Sequence, residues 1–368
     1  MLRLTAAGVV PVDRPGVSQV LSISQDGTSR RWLGELGNVT SLVYSYVLPG
    51  GPDQMTALLQ VPATLRTDCL NPGRTVLIVR GGSVVWQGKL DEPAPSASGW
   101  AVSAHGIGVQ GADFDAIYTT WDQNDALNQA ISRGLPWTNP GVSPTGVWLG
   151  QQPDSGSITI TDYLNQICTY GGLTWSVGRG GVLSVYPLPT EVTRLLVCTT
   201  PVTRTIAADV NVLNLRYQTS ADTATAATYA LTQASLPESI AVHGVMENYA
   251  DLSAAGTLTT AVAQSIGAYV LSRYNRANFA GPFTVSAGQY LTTGGTPVDL
   301  GCEQAGEVCQ LMLTDFGYGG EVTAAPVTFI VGAYSYDDVA QTATITPFQA
   351  VADSLSSLLT AVMSSAIT

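Results

Sequence analysis

The chain has 368 residues, a net charge of −12 and charged side chains at only 11% of its positions, while apolar residues make up 45%. A length of this order predicts two or three domains with a sizeable core. The acidic balance excludes a protein that grips nucleic acid by its phosphates, which needs clustered Lys and Arg, and charge this sparse, against roughly 25% in soluble domains, points to surface buried in a permanent assembly.

The first residues, MLRLTAAGVVPVDRPG, carry no long apolar run, and no stretch approaches the length of a membrane span, so neither export nor a membrane-spanning segment is expected. From Ser18 to about Gly111 strand follows strand. VSQVLSIS alternates apolar and polar residues, VTSLVYSYVLPGG follows, and RTVLIVRGGSVVWQGKLDEP, Arg74 to Pro93, reads as two strands folded back on Gly81-Gly82. Two glycines can take the positive φ values of a two-residue turn. In the first strand Val76 and Ile78 point one way and Leu77 and Val79 the other, which predicts burial on both faces. In the second, Val84, Trp86 and Leu90 share a face opposite Gln87, Lys89 and Asp91, and GWAVSAHG continues the series from Gly99.

The pattern then changes to helices. WDQNDALNQAISRG sets Leu127, Ala130 and Ile131 on one side and places Gly134 to end the helix. TDYLNQICTYGG does the same with Tyr163, Leu164, Ile167 and Cys168, stops at Gly171, and runs into the hairpin LTWSVGRGGVLSVYP. Strands return near Leu195, as NVLNLRYQTS, TFIVGAYSYDD and AQTATITP, around one long helical stretch predicted from Thr260 to Phe279. All seven tryptophans lie at or before Trp175, a shift that puts a boundary near residue 190. The last stretch, QAVADSLSSLLTAVMSSAIT, aligns Val351, Leu355, Leu358, Leu359 and Val362 as the apolar stripe of an amphipathic helix, an interaction surface for its own chain or a partner subunit.

Charge is segregated along the chain. After Arg276 there is no Lys or Arg, while Asp299, Glu303, Glu307, Asp315, Glu321, Asp337, Asp338 and Asp353 follow. This reads as a solvated acidic face or as a surface that must not hold DNA. Lys89 is the one lysine beside fourteen arginines, a bias typical of a high-GC genome. The five cysteines are scattered, with no zinc spacing, so reduced buried thiols are expected.

Motifs for chemistry are scarce. His105 and His243 each precede a glycine in structural settings and have no nameable partner; no nucleophile elbow, P-loop or dinucleotide fingerprint occurs. Asp113-Asp115 and Asp337-Asp338 could be paired carboxylates, but Asp belongs in turns anyway. No catalytic, cofactor-binding or metal-ligating residue is assigned, and no enzyme activity is expected.

The most specific stretch runs from Tyr46 to Gly106: YVLPGGPDQM, then LNPGRTVLIVRGGSVVWQGKLDEPAPSASGWAVSAHG. It resembles the N-terminal region of the minor tail, or baseplate hub, proteins of long-tailed phages that infect actinobacteria. LNQICTYGGLTWSVGRGGVLSVYPLP is similar to the helix-plus-hairpin module of that family, and YSYDDVAQTATITP to its closing strands. The resemblance implies a mainly β fold with an α+β insert: two tail-tube-like β-barrel or sandwich domains, 1–118 and 191–348, flanking a small α/β module, 119–190, with a C-terminal helix, 349–368. It implies a homotrimer in the virion's tail tip, bound to the distal tail, tape-measure and other tail-tip proteins, forming a ring through which DNA passes without specific binding. Asp299, Glu303, Glu307, Asp315 and Glu321 are then candidates for an acidic channel or surface. The rival readings are a receptor- or glycan-binding tail protein using Trp121, Trp137 and Trp148, and a cell-wall hydrolase acting through Asp113 and Asp115.

Overall fold

The computed structural model describes residues 17–35, 37–61, 68–117, 123–141, 158–171, 173–198, 204–205, 210–220, 227–253, 257–274, 278–279, 282–313 and 327–348. The first region contributes β1 (Gln19–Ile23), β2 (Arg30–Trp32), β3 (Asn38–Val47), β4 (Gly51–Gln60), β5 (Thr75–Arg80), β6 (Ser83–Leu90), β7 (Ala94–Ser96) and β8 (Gly99–Gly106). Then come α1 (Gln123–Ser132), α2 (Ile160–Gly171), β9 (Leu173–Val177) and β10 (Leu183–Pro187). The rest is β11 (Arg194–Cys198), β12 (Arg204–Thr205), β13 (Val212–Ser220), β14 (Thr228–Ser235), α3 (Pro237–His243), β15 (Glu247–Asp251), α4 (Thr260–Tyr274), β16 (Asn278–Phe279), β17 (Phe283–Ser286), β18 (Tyr290–Thr292), β19 (Val308–Leu313), β20 (Val327–Asp337) and β21 (Thr342–Pro347). The fold is mainly β with helical material between, as expected.

A single sheet of fourteen strands draws on both ends of the chain. Its path is β18-β11-β19-β20-β3-β4-β8-β6-β5-β1-β2, with β21 beside β20, β17 beside β21 and β7 beside β8. The joint is antiparallel β20 on β3, where Tyr334 faces Tyr46 and Tyr336 faces Tyr44. Strict alternation in these strands sends Tyr44, Tyr46, Met55, Tyr334, Tyr336 and Ile345 into one core. Buried tyrosines need partners for their hydroxyls. Tyr44 donates to the Gly301 carbonyl at 2.7 Å, Tyr334 to that of Leu300 at 2.7 Å, and Tyr46 to that of Val85. Segment 299–303 thereby closes over the core.

The Arg74–Pro93 hairpin forms, with Gly81 and Gly82 at φ 54° and 75°. Two details differ from expectation. β5 is buried on one face only, through Val76, Ile78 and Arg80, while Leu77 and Val79 are half-covered. In β6 the register shifts, since Ile78 pairs with Trp86 and Val79 with Val84. The extra residue is Val85, which turns inward in place of Val84, so Val85, Trp86 and Leu90 are the buried ones.

The turn YVLPGGPD does a second job. Gly50 donates to the Trp175 carbonyl at 3.2 Å and accepts from the Val177 amide at 2.7 Å, so β9 docks on the β3–β4 turn. Gly51 sits at φ 119°, where a Cβ would lie 2.4 Å from the Val177 carbonyl oxygen. Behind β9, the faces of α1 (Ala126, Leu127, Ala130) and α2 (Tyr163, Leu164, Cys168) make their own core with Trp137 and Trp175.

A separate sheet, β14-β13-β15, pairs β14 antiparallel and β15 parallel to β13. Its inner face, Leu213, Leu215 and Tyr217, packs on Val262, Ala263, Ile266 and Val270 of α4. The helix predicted to reach Phe279 ends at Tyr274, and Asn278–Phe279 instead pair with β12. The stripe Val351 to Val362 lies outside the described residues, as does the whole of 349–368.

Candidate functional site

The outward face of the central strands carries almost no charge. Register places Thr284 of β17, Thr344 of β21, Ser335 of β20 and Ser45 of β3 in one row across the sheet. The next row is Ser286, Thr342, Asp337, Val43, Thr56 and Ser103, reaching β4 and β8. These side chains are half-buried or exposed, because alternation sends the tyrosines, Met55 and Ile345 to the other side. The six strands β17, β21, β20, β3, β4 and β8 contain no Lys or Arg. They span roughly 25 Å at ordinary strand spacing. Their two carboxylates are occupied locally: Asp53 accepts from the Ser45 hydroxyl at 3.0 Å, and Asp337 accepts from the amides of Val339 and Ala340, both at 2.9 Å. The result is a broad hydroxyl surface with little to hold a polyanion. Charge reappears only past it, where Lys89 pairs with His105 across β6 and β8.

Behind this face, the late acidic residues meet arginines from earlier in the chain. Arg80 is buried; its Nε lies 2.8 Å from Asp299, its Nη1 2.7 Å from Asp338 and 3.2 Å from the Ser18 hydroxyl, and its guanidinium is 5.2 Å from the Tyr336 ring centroid. Arg194 lies 2.7 Å from Glu303 and 3.7 Å from Glu307, and Thr193 donates to Glu307. Asp299, Glu303 and Glu307, expected as an acidic channel or surface, are thus each paired within the chain, and Glu303 is buried. Asp315 and Glu321 lie outside the described residues. Among the described residues, four of the late acids, Asp299, Asp338, Glu303 and Glu307, thus share two arginines, Arg80 and Arg194.

Opposite pH responses follow for two of these acids. Burial raises Asp299, but the Arg80 hydrogen bond and charge outweigh it, so its carboxyl titrates below the ordinary 3.8. Its contribution to stability is complete above 3.8 and is lost as pH falls through the lowered value. Burial of Glu303 outweighs the opposing pull of Arg194 and leaves its carboxyl above the ordinary 4.5. Ionising it therefore costs stability as pH rises from 4.5 through the raised value. Against wild type, the deficit of Asp299→Asn should shrink on acidification, and that of Glu303→Gln should shrink as pH rises past this window. Denaturant melts across pH check both; parallel trends would refute the assignment.

The residues of the rival readings are placed as follows. Trp137 is buried and donates from Nε1 to the Ile107 carbonyl at 2.7 Å, so it is not the exposed platform that the rival binding reading requires. Trp121 and Trp148 lie outside the described residues. Asp113 lies 3.8 Å from His105 Nε2, and Asp115 forms a backbone bridge with Thr159. His105, which had no nameable partner, has two: its Nδ1 is 2.6 Å from Asp91. The sequence signal was the β6–β8 pairing, which sets Lys89 opposite His105 and Asp91 beside it. Among the described residues no cluster of His, Cys, Asp and Glu could hold a metal ion, and no helix is long and apolar enough to cross a membrane.

Comparison with known proteins gives the fold. No protein-family model matches the chain, and no curated protein matches it. Among solved structures, it is similar to prophage tail protein gp18 from Listeria monocytogenes EGD-e, with a TM-score of 0.61 at 10% identity over 93% of this chain and 97% of that one. The prophage MuSo2 43 kDa tail protein from Shewanella oneidensis follows, at 0.59 and 10% identity over 90% of this chain and 98% of that one. A tail protein from Neisseria meningitidis MC58 gives 0.55 and 10% over 90% and 95%. The chain therefore has the fold of phage tail proteins along nearly its whole length.

Proposed function

We propose that this chain is a non-enzymatic structural protein of a phage tail tip, a hub of which three copies form a ring joining the tail tube to the tip. The observation that carries this reading is the fold shared with three tail proteins at more than nine-tenths of their length. The edge-to-edge joint of β20 on β3 supports it, because a ring wall needs its two β regions, within 1–118 and 191–348, to continue one another. The hydroxyl face of β17, β21, β20, β3, β4 and β8 lines the bore. DNA passes because that face offers its phosphates no cation, rather than because an acidic lining repels them. Distal tail, tape-measure and other tail-tip proteins are the neighbours, the virion tail tip is the location, and the arginine-for-lysine bias agrees with an actinobacterial host.

The test is to give the face cations. Ser335→Arg/Thr344→Arg should leave the three-copy mass intact while creating DNA binding, each phosphate contact adding roughly 0.9 to the log–log salt slope. Virions with this variant should eject DNA more slowly. A monomeric mass for wild type sinks the ring; unchanged DNA binding and ejection in an intact trimer sink the bore assignment alone.

A further inference from the structure

Most strands that end a sheet in this chain are short or blunted. β2 has three residues, two of them Arg30 and Arg31; β7 and β10 contain Pro95 and Pro187; β15 has five residues with Glu247 and Asp251 among them. β9, β12, β16, β17 and β18 have five residues or fewer. Charge, proline and brevity are the usual means of keeping an edge from pairing with a foreign strand. β14 has none of them. It ends the sheet β14-β13-β15 with eight residues, TYALTQAS, and among the described residues nothing pairs with its outer edge. Alternate backbone N–H and C=O groups along that edge are left by β13 for a further strand.

The side chains of β14 suit such an addition. Register with Leu213, Leu215 and Tyr217 puts Ala234, Thr232 and Ala230 on the face that packs on α4, and leaves Tyr229, Leu231 and Gln233 on the other. Leu231 is 73% exposed, more than any other exposed large apolar residue described, and Tyr229 is 46% exposed. The Tyr229 ring is braced from the β13 side by Arg216, 4.1 Å from its centroid and itself held by Asp251 at 2.9 Å. α4 comes so close over β14 that a Cβ at Gly267 would lie 2.7 Å from that of Ala234, and Gln264 donates to the Thr232 hydroxyl at 3.1 Å. A guest strand gains apolar neighbours on one face and the flank of α4 on the other.

We propose that the outer edge of β14 is a docking site for an extended, uncharged segment of another protein, which joins the sheet as a fourth strand with apolar side chains beside Tyr229 and Leu231. Main-chain bonds supply the affinity of such an addition and alternate side chains its selectivity. The choice of a foreign strand over β14 of a second copy rests on the three-copy reading above, since a two-fold β14–β14 pairing closes on two copies. The availability of the edge does not depend on that reading.

The probe is a fluorescein-labelled peptide of alternating valine and threonine, as long as β14 and made soluble by terminal lysines, added to the full-length chain. It should bind saturably with a Kd below about 1 mM, and hydrogen exchange should slow at alternate β14 amides, those not bonded to β13. The same peptide N-methylated at every backbone amide keeps its side chains but has no donors, and should bind at least about ten-fold more weakly. So should the unmodified peptide to Leu231→Lys, which puts a blunting charge beside the edge. Absence of saturable binding, or equal binding by the methylated peptide or by the variant, overturns the proposal. Edge amides of β14 that are already slow in the chain alone overturn it too, because the edge is then occupied within the assembly. A monomeric mass with peptide binding intact would sink the ring and leave the docking edge standing.

Discussion

Replacing Arg80 with alanine should lower the free energy of unfolding by about 3–5 kcal/mol, the usual cost of leaving a buried charge without its partner. The guanidinium is the meeting point of β5, the start of β1, segment 299–301 and the β20–β21 turn, through Asp299, Asp338 and Ser18. Asp338 is nearly buried and would keep its hydrogen bonds from the Ser18 amide and hydroxyl but lose its countercharge, whereas Asp299 is 42% exposed and can rehydrate. Asp299→Asn should therefore cost no more than about 1 kcal/mol. Arg80→Lys should rescue little, because a single ammonium cannot reproduce the fork that serves two carboxylates from different nitrogens. Chemical denaturation of the three variants decides it. An Arg80→Ala protein within about 1 kcal/mol of wild type would mean that the paired charges contribute little.

The second large effect is expected at Gly51. A Cβ there meets the Val177 carbonyl oxygen at 2.4 Å, and φ at 119° is strained for any other residue. Strain and overpacking together predict about 4 kcal/mol for Gly51→Ala, concentrated where β9 docks. Gly134 provides the control: φ is 112° but nothing lies within 4 Å of its Cβ position, so Gly134→Ala isolates the backbone term. Hydrogen exchange at the Val177 amide, which bonds the Gly50 carbonyl, should accelerate in the first variant and not in the second. Equal costs for the two substitutions would remove the close contact from the explanation.

Much of the fold was readable because its signals are local. Alternation in YSYV and TATIT announced strands, Gly81-Gly82 announced a turn, and the stripes of α1 and α2 announced their buried faces. The bulge at Val85 was not readable, since one inserted residue reverses which of Val84 and Val85 faces inward and leaves no mark in composition. The end of α4 was missed because pairing of Asn278–Phe279 with β12 overrides helical spacing. The candidate site depended on contacts distant in sequence. Ser45, Ser335 and Thr284 share a row only once β3, β20, β21 and β17 are aligned. The pairing of Asp299, Asp338, Glu303 and Glu307 with Arg80 and Arg194 was not readable either, because those arginines lie far upstream.

The β20–β3 joint also governs the order of events when the chain is made. On a ribosome, β3 pairs at once with β4, but its other edge must wait for β20, about 290 residues later, and contacts of such separation form slowly. Until then β3 is an open edge backed by Tyr44 and Tyr46, the kind of surface that recruits a wrong strand from another nascent chain. Efficient production therefore depends on whatever shields that edge during synthesis, and a mutation that slows completion of the last hundred or so residues should show first as aggregation rather than as a defect of the finished protein.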